Sequence, residues 1–291
     1  MEIKINPAAI ALALSTYYPK WYKGNLLSVK HTDKIRGDLA LELLRKAVNF
    51  KYQIVVVDVT SSKSFRKELI SIESINLVKR NSSIKRSPSR RLAFKIASKL
   101  DGVKVIIYTD PEKVSLVEKS ILDVAEPILE NRADIVIPKR ESKLFETTYP
   151  DYQYSSEVEA NRLYNELLRT NSLLPTNIPD LDLFFGPKAF KNDPGILSLF
   201  LRKSDFPINK RYSKDLHFDP EDFSNIIFFP IVLALKKKLR VQSVEVKFAY
   251  PVLQKKNEES GLKELFIEKR RSQRLSVLVE LNVLLQFFKK A

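Results

Sequence analysis

An α/β fold with a central, mostly parallel sheet flanked by helices is predicted from the order of the hydrophobic patterns in the first half of the chain. Two β-branched runs, 52–59 (YQIVVVDV) and 103–108 (VKVIIY), have the length and composition of strands that are buried on both faces. Stretches with helical periodicity separate such runs, which predicts βαβ units. The length of 291 residues and the hydrophobic content of 44% allow a substantial core.

Each predicted element follows from the period of its apolar residues. Strands are expected at 8–14, 52–59, 75–78, 103–108 and 133–138, and helices at 35–48, around Phe65, at 88–100 with Ser87 as the cap, and at 117–128. The second half is less regular, with helices expected at 157–169, at 223–237 and at the C-terminus, and with a strand pair between 183–185 and 241–248. A boundary near residue 140 divides the chain into the halves 1–140 and 141–291, which we expect to share one sheet as one continuous domain.

The composition excludes several classes of site. No cysteine is present, so disulfides, thiolate zinc sites and a catalytic cysteine are excluded, and a reducing, cytoplasmic location is expected. No apolar run has the length of a bilayer-spanning helix, which predicts a soluble or peripheral protein. The six glycines form neither GxGxxG nor a P-loop, and the two histidines lack the HExxH and GxSxG contexts of zinc and serine hydrolases.

The formal net charge of +15 favours anionic partners, among them nucleic acid, an anionic membrane and phosphorylated small molecules. A lysine bias of the genome would account for this charge equally well. The basic residues form no stripe interleaved with aromatic residues, so no specific nucleic acid is expected. The basic residues of the C-terminal helix either make a peripheral contact with an anionic membrane or dock on the domain with their helix; they are Lys269, Arg270, Arg271 and Arg274.

Two acids follow the strongest predicted strand. Asp110 and Glu112 lie just beyond 103–108, at the strand end where an open α/β sheet binds its ligands. Carboxylates of this kind suit Mg²⁺ or Mn²⁺, which in turn holds a diphosphate. The alternative is that Asp110 and Pro111 begin a turn, while Glu112 favours the start of the next helix.

The stretch 87–112 (SPSRRLAFKIASKLDGVKVIIYTDPE) resembles the signature of glycosyltransferase-A enzymes, which is a small-residue turn, an arginine in a helix, a strand and then a D-x-D motif. The resemblance covers about the first half of the chain. In this sequence the second acid is Glu112, and Arg91 occupies the place where many family-2 glycosyltransferases have asparagine. The resemblance implies a Rossmann-like GT-A fold and the metal-assisted transfer of a sugar from a nucleoside diphosphate sugar to an unknown acceptor.

The same resemblance implies the residues of the donor site. Thr16 and Tyr17 follow the first strand, where such enzymes seat the nucleoside, and a tyrosine ring there would stack on the base. Asp58 ends the second strand, where the family often has an acid that contacts the base or the ribose; otherwise it would cap the next segment. Arg90 or Arg91 would neutralise the diphosphate while the other faces solvent, because adjacent positions of a helix diverge.

In the second half, 182–187 (DLFFGP) resembles the segment that lines the sugar and acceptor pocket. Glu221 and Asp222 precede an apolar helix, as do the acids that carry the catalytic base in inverting members of the family. They would otherwise simply start that helix. On this interpretation 1–140 binds the nucleotide sugar and 141–291 binds the acceptor.

Two other functions stay open. A sugar nucleotidyltransferase has a similar fold, although that class has a glycine-rich loop after the first strand and 15–20 contains no glycine. A non-catalytic basic scaffold that binds nucleic acid or a membrane surface would need neither Asp110 nor Glu112, and its binding would depend steeply on salt.

Overall fold

A computed structural model gives the structure of residues 5–80, 86–204, 220–221, 223–260 and 263–290. Within these ranges no helix combines the length and the apolar character that crossing a bilayer requires.

Seven strands of the described residues form one mixed sheet. In chain order they are β1 (Ile10–Thr16), β2 (Gln53–Val59), β3 (Ile75–Arg80), β4 (Val105–Tyr108), β5 (Ile135–Arg140), β6 (Lys188–Lys191) and β7 (Val241–Val246). Their order across the sheet is β3-β2-β1-β4-β6-β5-β7, and β6 runs antiparallel to both of its neighbours while the other pairs are parallel. The α/β class and the mostly parallel, mixed sheet are therefore confirmed.

The helices connect these strands and cover the sheet. They are α1 (Thr32–Asn49), α2 (Lys63–Ile70), α3 (Arg86–Ala97), α4 (Val114–Lys119), α5 (Ile121–Leu129), α6 (Ser142–Thr148), α7 (Asp151–Thr170), α8 (Pro194–Leu201), α9 (Phe229–Lys236), α10 (Val252–Glu259) and α11 (Lys263–Lys290). The sheet contains strands from both sides of residue 140, because β5 ends there and β6 and β7 follow.

Both faces of the sheet are buried. Along β1, Ala11 and Ala13 pack into one core whereas Leu12 and Leu14 pack into the other, because successive side chains of a strand point to opposite faces. Helices α3, α8, α9 and α11 contribute to the first core, and α1, α2, α4 and α5 contribute to the second. This two-sided burial explains why the central strands are continuous apolar runs.

The strand pair predicted for the second half is wrong. Leu183–Phe185 is a short 3₁₀-helix, the strand β6 follows it between β4 and β5, and β7 pairs with β5. Gly186 has a φ of 102°, a left-handed conformation that ends the 3₁₀ turn. The fully buried ammonium group of Lys188 donates to the carbonyl oxygens of residues 183, 186 and 187, which fixes the turn that leads into β6.

Three predicted helices differ in their details. The helix expected from residue 223 starts with a π-helical turn, Ser224–Phe228, and Pro230 lies in the first turn of α9, where a helix needs no N–H donor. The helix expected at 117–128 is divided into α4 and α5 at Ser120, whose φ of −140° leaves the helical region. Ser87, predicted to cap α3, lies within the helix Arg86–Ala97.

Candidate active site

A cleft of about 520 Å³ opens where β1 and β4 end. The residues that follow these two strands line it, among them Thr16, Tyr17, Asp110 and Glu112. The facing wall comes from the second half of the chain, from the turn 183–186 and from α11. The cleft thus lies at the carboxyl ends of parallel strands, which is the side on which open α/β sheets bind ligands.

Asp110 is held by three neighbours at the end of β4. Its Oδ1 accepts a hydrogen bond from the Tyr108 hydroxyl at 2.7 Å and lies 3.4 Å from Nη2 of Arg90. Its Oδ2 lies 3.7 Å from Nζ of Lys113, and a Cβ at Gly186 would lie 3.0 Å from the same oxygen. The side chain is still 33% exposed, so a ligand in the cleft can reach this carboxylate although two cations lie beside it.

Tyr17, Tyr18 and Glu112 form one rim of the cleft. The Tyr18 hydroxyl donates to Oε1 of Glu112 at 2.9 Å, and burial, followed by the charge of Glu112, raises the pKa of Tyr18 well above its ordinary value. Tyr18 therefore stays neutral and orients Glu112. Tyr17 is 42% exposed, which leaves its ring accessible to a planar base.

Arg90 is a buried cation with unused donors. It is 5% exposed and lines the cleft, and within the described ranges its Nε and Nη1 have no hydrogen-bond partner. Its guanidinium also lies 4.7 Å from the centre of the Tyr108 ring. Each buried donor without an acceptor costs about 1–3 kcal/mol. A ligand with anionic oxygens would remove this cost, so the position of Arg90 favours an anion in the cleft.

Arg91 and Glu221 contact each other and do not line the cleft. The Arg91 guanidinium donates to both carboxylate oxygens of Glu221, with Nη1 at 2.9 Å from Oε1, and the amide of Asn225 donates to the same oxygen at 2.7 Å. Burial alone would raise the pKa of Glu221, but the hydrogen bonds from Arg91 and Asn225 hold it below its ordinary value. This pair ties α3 to the segment before α9. Asp222 lies outside the described residues.

Asp58 is fully buried at the end of β2, and both of its carboxylate oxygens accept hydrogen bonds from other side chains of the protein. Oδ1 accepts from the Thr16 hydroxyl at 2.9 Å, and Oδ2 accepts from Nε of Arg66 at 2.7 Å. Asp58 is absent from the lining of the cleft, whereas Thr16 belongs to it. The acid therefore fixes the ends of β1 and β2 and the start of α2, and it does not present an oxygen to the cleft.

Sequence reasoning missed Lys113 as a site residue. It lines the cleft, and its ammonium nitrogen lies 4.7 Å from the ring centre of Phe185 and 3.7 Å from Asp110. Burial lowers the pKa of Lys113, whereas the charge of Asp110 opposes this change. Because Lys113 directly follows Glu112, the strand-end argument that selected the two acids would also have found it.

A further group of cations lines the cleft and is called here the second cationic cluster. Its members are Arg36 of α1 and Lys269, Arg270 and Arg274 of α11. Helix α11 thus docks on the domain with these three basic residues at the cleft, while Arg271 is exposed and is not part of the lining. No sequence signal could show this arrangement, because helical periodicity does not say against which surface a helix packs.

A buried ion-pair network supports the wall behind the turn 183–186. Nε and Nη2 of Arg140 donate to the two carboxylate oxygens of Asp182, each at 2.7 Å, and Nη1 donates to Glu157 at 2.5 Å. The guanidinium lies 3.5 Å from the centre of the Phe145 ring. Asp182 therefore holds the segment that resembles the pocket wall of glycosyltransferases, and it does not line the cleft itself.

The residues at the end of β4 fit a divalent ion that arrives together with a diphosphate. Mg²⁺ commonly binds one or two carboxylates and completes its coordination with phosphate oxygens and water, and Asp110 and Glu112 are two such carboxylates. Within the part of the chain that the structure describes, no group of three or more histidine, aspartate or glutamate side chains could hold a metal ion.

Comparison with known proteins gave matches among solved structures alone: no family model matches the sequence, and no curated protein matches it. A nucleotide-diphospho-sugar transferase candidate from Desulfovibrio desulfuricans G20 is 12% identical, with 97% of this chain and 98% of that chain covered and a TM-score of 0.41. Glucosyl-3-phosphoglycerate synthase from M. tuberculosis is 12% identical, with 93% and 79% covered and a TM-score of 0.48. Residues 1–349 of TarS from S. aureus, in complex with UDP, are 14% identical, with 91% and 70% covered and a TM-score of 0.39.

The architecture of this chain is described by its own sheet. The seven strands follow the order β3-β2-β1-β4-β6-β5-β7 with β6 antiparallel, helices cover both faces, and the cleft lies where β1 and β4 end. The chain therefore has a Rossmann-like α/β fold with a mixed, mostly parallel sheet, as its sequence predicts.

Proposed function

We propose that this chain is a glycosyltransferase that moves a sugar from a nucleoside diphosphate sugar to an acceptor. The observation that carries the proposal is Arg90, a cleft-lining guanidinium that is 5% exposed and has two donor nitrogens without partners in the described residues. A diphosphate supplies the anionic oxygens that these groups lack. The absence of cysteine keeps the cytoplasm as the expected location.

Each part of such a donor meets side chains of suitable chemistry. The exposed ring of Tyr17 stacks on the base, and Arg90 and Lys113 neutralise the diphosphate. The turn 183–186 lines the space for the sugar. Asp58 takes part indirectly, because it positions Thr16 through the 2.9 Å hydrogen bond between their side chains.

Asp110 and Glu112 would hold Mg²⁺ or Mn²⁺, whose chemistry in such a site is to stabilise negative charge on the departing diphosphate. Each of the two carboxylates accepts a hydrogen bond from a tyrosine hydroxyl. Tyr108 donates to Asp110 at 2.7 Å and Tyr18 donates to Glu112 at 2.9 Å, which limits the orientations that either side chain can adopt.

In the net reaction a bond forms between the acceptor oxygen and the anomeric carbon of the sugar. The bond from that carbon to the diphosphate oxygen breaks, and its electron pair leaves with the nucleoside diphosphate. The hydroxyl proton of the acceptor passes to a carboxylate base. Glu221 accepts hydrogen bonds from Arg91 and does not line the cleft, so Asp222 is the base that we propose.

Thermal unfolding with a panel of UDP-, GDP- and ADP-sugars, with and without Mn²⁺ or Mg²⁺, tests this function. A donor present at a hundred times its Kd stabilises the folded state by about 2.7 kcal/mol, which is a measurable rise in Tm. We expect a nucleotide-specific rise that requires the metal and is lost in Asp110→Asn. Asp101→Asn is the matched control, because it removes an exposed acid that precedes β4 and does not line the cleft.

Two outcomes would contradict the proposal. A shift with nucleoside triphosphates but with no sugar nucleotide would favour a nucleotidyltransferase. Binding to polyanions that falls steeply with salt and is unchanged in Asp110→Asn, without any nucleotide shift, would favour a basic scaffold.

A further inference from the structure

We propose that the acceptor carries a phosphate monoester and that the second cationic cluster binds it. This inference rests on the proposed function, because it names the substrate that would share the cleft with the sugar donor. The cluster is formed by side chains of two helices that are far apart in the chain, α1 and α11, and all of its members line the cleft.

Arg274 is the member whose unused donor is most clearly defined. It is 7% exposed, and within the described ranges its Nη2 is buried without a hydrogen-bond partner. Its ion-pair partner Glu157 lies 3.8 Å from that atom and already accepts from Arg140 at 2.5 Å and from Gln153 at 2.8 Å. A guanidinium N–H in this position lacks the acceptor that buried donors normally have. An anionic oxygen in the cleft would supply it.

Two other side chains in this part of the cleft also have a buried polar atom that lacks a partner within the described ranges. Nε of Arg36 and Oε1 of Gln153 are both buried without a hydrogen-bond partner in the described residues. The first is a donor that suits an anionic oxygen, and the second is an acceptor that suits a hydroxyl group. Arg270 lies 3.8 Å from Glu258 and 3.9 Å from Glu157, beyond hydrogen-bond distance of either carboxylate.

The second cationic cluster also supplies charge for an anion. A phosphate monoester carries about −1.5 to −2 charges at pH 7, which the guanidinium groups of Arg36, Arg270 and Arg274 in the lining of the cleft complement.

The cluster and the donor residues belong to one cleft, because Arg36 and Glu112 both line it. Burial alone would lower the pKa of Arg36, but the charges of Glu112 and Glu258 raise it above its ordinary value. Glu112 lies two residues from Asp110. A phosphate on the cluster would thus place the rest of the acceptor next to the donor.

The phosphate can come from a soluble molecule or from a lipid. Leu265 of α11 lines the same cleft and is 65% exposed, so an acyl or polyprenyl chain would find an apolar contact there. The probes are therefore inorganic phosphate, glycerol phosphate, and vesicles that contain phosphatidic acid in a phosphatidylcholine background.

The experiment compares binding of these probes to the wild type and to three variants. We expect Arg274→Gln, and the double variant Lys269→Gln with Arg270→Gln, to weaken phosphate binding about 10- to 100-fold. Arg271→Gln is the matched control, because it makes the same change on the same helix at an exposed position outside the cleft. Binding of UDP or GDP should persist in Arg274→Gln and be lost in Arg90→Gln.

Phosphate affinities in Arg274→Gln and in the double variant that equal those of the wild type would overturn the inference. The double variant keeps this test available if Arg274→Gln does not fold. The failures of the two proposals can be distinguished. If the wild type binds no nucleotide, the proposed nucleotide-sugar donor is refuted. The dependence of phosphate binding on the cluster is measured without any nucleotide, so that result does not affect it.

Discussion

Two adjacent arginines are expected to respond in opposite ways to the same substitution. Arg90→Met replaces a buried guanidinium whose Nε and Nη1 lack partners in the described residues, and Arg91→Met removes a guanidinium that donates to both oxygens of Glu221. Methionine keeps most of the apolar stem of arginine, so the comparison reports chiefly on the charged group.

The structure sets the magnitude of each effect. For Arg90, two unpaired donors cost about 1–3 kcal/mol each, whereas the 3.4 Å contact with Asp110 returns about 0.2–1 kcal/mol and the approach to the Tyr108 ring returns about 0.5–2 kcal/mol. The difference between these ranges runs from about 1 kcal/mol lower to about 5 kcal/mol higher, so we expect the free energy of unfolding of Arg90→Met to rise by about 2 kcal/mol, the middle of that interval. For Arg91→Met, Glu221, which is 7% exposed, loses the hydrogen bonds from the Arg91 guanidinium to both of its oxygens, and the expected cost is about 3 kcal/mol.

Denaturation by urea in the absence of ligand measures both changes, and the Tm shift with a sugar donor measures binding. Arg90→Met should be at least as stable as the wild type and should show no donor shift. Arg91→Met should be less stable and should keep the shift relative to its own baseline. A loss of more than about 2 kcal/mol in Arg90→Met, together with a retained donor shift, would refute the reasoning that Arg90 is held in place for a ligand.

Three further substitutions test the buried charges of the fold. Asp58→Asn should lower the free energy of unfolding by about 2–3 kcal/mol, because Arg66 loses a charge-assisted hydrogen bond, and should change the Kd of the donor less than about threefold; urea denaturation and a titration check the two values. Burial alone would raise the pKa of Asp182, but Arg140 holds it below its ordinary value, so its contribution to stability is complete above about pH 3.9 and is lost as the pH falls through the pKa of the folded state. The free energy of unfolding should therefore fall more steeply with decreasing pH in the wild type than in Asp182→Asn. Equal slopes in the two proteins would contradict this. Burial lowers the pKa of Lys188 to about 7, so between that pH and about 10.4 the unfolded chain binds more protons and stability rises with pH. The free energy of unfolding of the wild type relative to that of Lys188→Met should therefore rise across this range in denaturation series at several pH values.

The part of the cleft at the ends of β1 and β4 could largely be predicted from the sequence, because its residues follow strands. Runs such as 52–59 and 103–108 identify buried strands by composition, and parallel strands bring their carboxyl ends to one edge of the sheet. The rule selects Asp110 and Glu112 and would have included Lys113. It cannot decide the role of Asp58, because that depends on whether Arg66 of the next helix reaches the carboxylate.

The rest of the cleft depends on contacts between residues that are distant in the chain. The ion pairs of Arg91 with Glu221 and of Arg36 with Glu258 join separate elements, and no local sequence pattern predicts them. β6 was missed for a related reason. Its four residues (KAFK) contain two apolar side chains, and its antiparallel direction depends on the left-handed Gly186 before it.

The position of β6 also governs the order in which the sheet can assemble. β3, β2, β1 and β4 are neighbours that come from residues 10–108, so successive βαβ units can build this part from nearby segments. β5 follows β4 in the chain but does not pair with it, and it gains hydrogen-bonded neighbours only when β6 and β7 arrive from much later segments. Closure of such long loops is slow. Until β6 is in place, β4 keeps an open edge, and during synthesis this edge is where misassembly with another chain competes with folding.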